Sequence, residues 1–283
     1  MDDREPDAER RPWRTDHEWN HLRERIAIGD PPRSESRRFA RARPWLIAAS
    51  LVIAAGTTLL IRARSTRETT TRLASTVAGE RLVVHLSDSS VVTLGPATTM
   101  RFVATATRRS VELDGLADFR VVHDEARPFV VRARDAQATD VGTEFVVRAY
   151  PGDSSVRVAV TSGIVSLVNV TGSRPAVTLR AGDLGTVRGT ALPTVQPGNA
   201  SAFNAWVGGQ LTFDDAPLTD VVADLARWFD ADIRIDDASL ARRHVTAVYN
   251  DPTLTAVLDA LSATLGARIV RSGHTITLRA GGR

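Results

Sequence analysis

The 283-residue chain contains no cysteine, which excludes disulfide frameworks, thiol nucleophiles and zinc–thiolate sites. The redox compartment stays open, because a chain without thiols tolerates either one. Lysine is missing too, so all 36 basic residues are arginines, and 33 acidic residues leave a formal charge of only +3. So small an excess makes no strong field and points away from direct nucleic-acid binding. Aromatic residues are scarce at 5%, too few for the stacking platforms of a single-strand binder. What the chain does have is 43% hydrophobic residues, enough for folded cores, and a length that suits about two domains.

Long apolar runs are also rare; there is one. Residues 44–61 read PWLIAASLVIAAGTTLLI without a charge, and eighteen helical residues reach about 27 Å, just short of the ~30 Å hydrocarbon core. Arg41 and Arg43 on one side, Arg62, Arg64 and Arg67 on the other, and Trp45 at the boundary supply snorkelling and interfacial anchors. The run lacks the short apolar core and small-residue end of a cleaved signal peptide. It is read as one membrane span. Five arginines lie within about fifteen residues before it and four after, a slight bias that places the N-terminus inside.

Before the span, residues 12–28 form an amphipathic helix with Trp19, Leu22 and Ile26 on one face. A lone helix cannot bury such a stripe, so it needs a partner surface, and Pro31-Pro32 ends it. The same helix carries His17-Glu18-Trp19-Asn20-His21, the H-E-x-x-H spacing of zinc metalloproteases. No third ligand or apolar scaffold accompanies it, and Arg14, Asp16, Arg23 and Glu24 crowd both sides. The string is read as a solvated helix face, and no metal, cofactor or enzymatic activity is assigned.

After a polar linker over 62–76, residues 77–190 alternate as strand after strand. Segments 81–86, 91–94, 110–113, 119–122, 129–134, 143–149, 156–160, 164–168 and 177–180 are separated by turn residues such as Gly95-Pro96 and Pro151-Gly152. This is an all-β domain, as a sandwich, roll or short solenoid. A second linker, 191–209, leads to residues 210–283, where a shift of 36 positions superimposes Asp215, Leu218, Val221, Leu225 and Ile233 on Asp251, Leu254, Val257, Leu261 and Ile269. Each copy reads strand, helix, strand, which predicts a small α+β domain built of a repeated βαβ unit.

These residues carry a resemblance. Arg109-Ser110-Val111-Glu112-Leu113, Ala117-Asp118-Phe119-Arg120-Val121, Arg127-Pro128-Phe129-Val130-Val131, Val141-Gly142-Thr143-Glu144-Phe145 and Ser162-Gly163-Ile164-Val165 together resemble the periplasmic domain of the FecR family. The C-terminal repeat is similar to that family's tail and to the short signalling domain of secretins and TonB-dependent receptors. Where the family usually writes Asp-Gly-Ser, this chain has Asp88-Ser89-Ser90; where it writes Gly-Glu-Ala-x-Phe, this chain has Gly115-Leu116-Ala117-Asp118-Phe119. Both read as tolerated variants.

The resemblance implies a single-pass inner-membrane regulator of an extracytoplasmic-function sigma factor, with residues 1–43 cytoplasmic and residues 62–283 periplasmic. Trp19, Leu22 and Ile26 would hold the sigma factor. The periplasmic partner implied is the signalling domain of a TonB-dependent outer-membrane receptor, commonly one for iron chelates. Gly142-Thr143 matches the step at which some family members are thought to cleave themselves. The competing reading from residues alone is an envelope-anchored binding or scaffold protein whose β domain recognises a ligand.

Overall fold

The structure, a computed structural model, describes residues 69–140, 142–171, 175–198 and 200–281. The expected N-terminal helix and the span at 44–61 lie outside these residues. Among the described residues no helix is long and apolar enough to cross a membrane.

Thirteen strands build the first domain: β1 (Thr70–Ser75), β2 (Leu82–His85), β3 (Val91–Leu94), β4 (Thr99–Ala104), β5 (Arg109–Arg120), β6 (Phe129–Ala133), β7 (Ala136–Asp140), β8 (Glu144–Ala149), β9 (Val156–Ser162), β10 (Ile164–Asn169), β11 (Val177–Arg180), β12 (Asp183–Val187) and β13 (Thr194–Pro197). They form two layers. One sheet runs β1-β4-β5-β6-β7-β10-β11, the other β2-β3-β5-β8-β9-β12-β13, and every pair is antiparallel except β5 with β6.

β5 belongs to both sheets. Its first half, to Asp114, pairs with β4 and β6; its second half, from Gly115, pairs with β3 and β8. The switch falls at Gly115, whose φ of 124° only glycine adopts easily. Segments 110–113 and 119–122, separate strands in the sequence reading, are one strand bent at Gly115. Between the sheets lies a core of Val92, Phe102, Val111, Phe119, Phe129, Phe145, Val158 and Leu167, in which Phe119 and Phe145 stack 5.1 Å apart.

The core also holds one ion pair. Arg109, fully buried, meets Asp88 at 2.8 Å and donates to the carbonyls of Val122 and Arg127. Asp88 in turn accepts from the amide of Ser90, which fixes a turn where Ser89 has a φ of 68°. That left-handed angle explains why a glycine is the usual residue in the resembling sequences.

Both expected linkers contain regular structure. Within 62–76 lies β1, and within 191–209 lie β13, a short helix α1 (Ala200–Asn204) and a 3₁₀ turn (Ala205–Gly208). Both strands are edges: β13 is exposed throughout and β1 nearly so, so no apolar alternation announced them and their main chains alone make the pairing.

The second domain comprises β14 (Gln210–Pro217), α2 (Leu218–Phe229), β15 (Asp232–Ile235), α3 (Ala238–Ala241), β16 (His244–Asn250), α4 (Leu254–Leu265), β17 (Ala267–Ser272) and β18 (Thr275–Ala280). The strand–helix–strand order occurs twice, and Asp215 and Asp251, superimposed by the 36-residue shift, share left-handed φ values of 46° and 43°. The two strand–helix–strand segments interlock instead of closing separately. Their first strands pair with each other as β14–β16, while their second strands flank β18, β15 parallel and β17 antiparallel. The helices bury Leu218, Val221, Val222 and Leu225 against Val257, Leu258, Leu261 and Leu265. Thr253 caps α4, its hydroxyl accepting from the Ala256 amide, and Gly266 ends it.

Candidate functional site

Of the residues singled out in the sequence, Trp19, Leu22 and Ile26, like His17 and His21, lie outside the described residues. Gly142 and Thr143 lie within them, at the entrance to β8. Gly142 has a φ of 152°, and a Cβ there would fall 2.6 Å from His123 Cβ, so no other residue fits without displacing the loop. Its amide donates to Asp140 Oδ1 at 2.8 Å, and the Thr143 carbonyl accepts from the Val121 amide at 2.9 Å. From the other side Gly163 packs against the Thr143 side chain and the Gly142 carbonyl. Thr143 is buried, and its hydroxyl has no hydrogen-bond partner among the described residues.

The step therefore sits in a tight corner whose hydroxyl is not engaged elsewhere. It borders a cavity of about 340 Å³ lined by Ser89, Arg120, Glu144 and Ser162. Asp118, two residues before Arg120 on β5, is sealed from solvent; burial pushes its carboxyl up to about 6, with Arg120 opposing and Glu144 reinforcing the rise. The sequence marked the Gly-Thr pair and, in a separate motif, Gly163, but not His123. Nothing local predicts that residues twenty positions away on either side close over it.

A second polar cluster joins the domains. On β8, Arg148 donates to Asp153 at 2.7 Å and, through both terminal nitrogens, to Asp224 of α2 at 2.9 and 2.8 Å. Arg227 bonds Asp224 at 2.8 Å and lies 4.0 Å over the Tyr150 ring. Burial opposes the Arg148 charge, but Asp224 and Asp153 outweigh it and raise its pKa, so the guanidinium stays ionised. The Tyr150 hydroxyl donates to the Pro96 carbonyl at 2.7 Å, and burial pushes it up to about 12. Around this cluster Leu116, Val146, Tyr150 and Trp206 form an apolar patch, with Trp228 packed 6.0 Å from Trp206. Leu116 stands where the resembling sequences carry glutamate, and here it lies beneath the tryptophan.

The model of the FecR protein family matches residues 72–166, and that of the FecR C-terminal region matches residues 210–278. Two crystal structures, at 2.50 and 1.65 Å, of a candidate anti-sigma factor from Parabacteroides distasonis ATCC 8503 share the fold. Each has a TM-score of 0.70 and 29% identity over 75% of this chain and all of that one. No curated protein matches the chain.

Proposed function

The chain belongs to the FecR family, and on that premise we propose that it is a single-pass inner-membrane transducer that regulates an extracytoplasmic-function sigma factor. The observation that carries the proposal is that both family regions occur in order over both described domains, whose fold a candidate anti-sigma factor shares. Residues 44–61 span the membrane, the N-terminus is cytoplasmic, and Trp19, Leu22 and Ile26 hold the sigma factor. The periplasmic partner is the signalling domain of a TonB-dependent receptor, one for iron chelates. Open strand edges of the second domain support this reading: among the described residues β14 and β16 pair only with each other, and Val248 on β16 is 57% exposed.

A two-hybrid assay of residues 1–43 against the cognate sigma factor tests it. The signal should disappear in Leu22→Asp, since a buried apolar anchor contributes about 2 kcal/mol or more. Binding indifferent to Leu22→Asp removes the helix-face reading; no binding at all leaves the scaffold alternative. A periplasm-only reporter fused after Arg72 should be active, and the same reporter after Arg43 silent.

The corner at Gly142–Thr143 favours a second activity, self-cleavage. Thr143 Oγ1 attacks the Gly142 carbonyl carbon; a C–O bond forms, the C–N bond breaks, and the hydroxyl proton passes to the departing nitrogen. Water then hydrolyses the ester, leaving a Gly142 carboxylate and a free Thr143 amine. The unengaged hydroxyl and the unusual Gly142 backbone support this step. The halves would stay associated, because β5–β8 and β7–β10 ladders cross the cut. Denaturing electrophoresis with intact mass should give fragments ending at Gly142 and beginning at Thr143, absent in Thr143→Ala.

A further inference from the structure

A cavity of about 610 Å³ lies between the second sheet, the Ala200–Gly208 segment and β14, beside the paired cluster of Arg148. Its size falls in the range of small-molecule sites. Three arginines line it: Arg188, exposed just after β12, and two on neighbouring strands that differ. Arg148 has two carboxylates, whereas Arg157 of β9 has none: its Nε is shielded from solvent and has no hydrogen-bond partner among the described residues. Its guanidinium lies 5.7 Å over the Phe203 ring.

One more unpartnered polar atom adjoins it. Trp206 lines the cavity, is 6% exposed, and its indole Nε1 donates to nothing among the described residues. Buried donors of this kind are costly unless something accepts from them. Burial, and then the charge of Arg148, lowers the Arg157 pKa, with Asp153, Asp224 and Asp220 opposing.

We propose that this cavity is a binding site for a small monocarboxylate with an aromatic or aliphatic body. The carboxylate accepts from Arg157 and from the Trp206 indole, and the body lies against Leu116, Phe203 and Trp228. The exposed carboxylates of Asp214, Asp215 and Asp220 line the same cavity and disfavour multiply charged anions. The site uses none of the residues assigned to sigma-factor binding or to self-cleavage, so it stands or falls independently of them. Both walls contribute, Arg157 from the first domain and Trp228 from the second, so occupancy would favour the docked arrangement of the domains.

The test uses the full chain with indole ¹⁵N labelling, which gives one signal for each of its five tryptophans. Trp206→Phe assigns the signal of Trp206. Phenylacetate is the probe, 2-phenylethanol the neutral counterpart and citrate the polyanion. Phenylacetate should shift the Trp206 signal downfield and saturably while leaving Trp13, Trp19 and Trp45 unmoved. Both 2-phenylethanol and citrate should bind roughly tenfold more weakly or less. Arg157→Gln should weaken phenylacetate by a similar factor while leaving the melting temperature unchanged or higher, because it removes a shielded cation that has no ion pair among the described residues. No shift of the Trp206 signal up to about 10 mM phenylacetate, undiminished binding by Arg157→Gln, or citrate binding as tightly as phenylacetate would each overturn the proposal.

Discussion

The second sheet of the β domain covers polar groups in two places, and it treats them oppositely. At the domain junction each of four charges, Arg148, Asp153, Asp224 and Arg227, has a partner within 3.6 Å. At the β8 entrance the Thr143 hydroxyl and an Asp118 oxygen are buried with no hydrogen-bond partner among the described residues. The lesson is energetic. A fully paired buried network contributes position, because any one missing member leaves charges stranded, whereas an unpaired group raises the free energy of the folded state and keeps its chemistry available.

The comparison is broken most severely at the junction. Arg148→Met leaves Asp153 and Asp224 with only Arg227, and should lower stability by ~3–5 kcal/mol in urea titration. It should also expose residues 198–210 to protease. If the two domains remain docked and equally stable, the pairing there is not what holds them. At the β8 entrance, Gly142→Ala should lower the urea midpoint by an amount worth about 2 kcal/mol or more, since a Cβ meets His123 and the backbone angle is unfavourable.

Asp118 sharpens the contrast through pH. Its folded value of about 6 lies above the ordinary 3.8, so folding disfavours the ionised form. Stability from this group is present at low pH and is lost as pH rises through about 6. Asp118→Asn should therefore stabilise the protein by on the order of 2 kcal/mol above that range and by nothing below about pH 4. Paired urea titrations at the two pH values measure it; an equal gain at both would remove the titration argument. The smallest effect belongs to Thr143→Val, which replaces an unpartnered hydroxyl by a methyl of the same shape. A gain of about 1 kcal/mol or less is expected, together with a single uncleaved species by mass.

How much of this was legible in the sequence depends on what each element rests on. α2 and α4 announced themselves through Leu218, Val221 and Leu225 and their counterparts Val257 and Leu261, because one buried face imposes a period. β7 did not: its buried face consists of Ala136, Ala138 and Asp140, too small or too polar to register as a hydrophobic alternation. β1 and β13 bury almost nothing, so pairing by main chain leaves no trace in composition. The junction was invisible for another reason. Arg148 and Asp224 are 76 residues apart, and a surface charge reads the same as a buried one until the fold brings its partner. Gly142 and Thr143 were marked by resemblance, but the groups that close over them come from two other segments.

β5 gives the β domain a thermodynamic character of its own. A sandwich of two separate sheets can lose one and keep a remnant of the other, but here a single strand is an interior member of both. Its Arg109–Asp114 half cannot leave the first sheet without pulling its Gly115–Arg120 half from the second, since Gly115 is a bend and not a hinge loop. Unfolding should therefore be all-or-none across both layers, with the most protected amide protons running the length of one strand, and no half-melted domain should accumulate on the way.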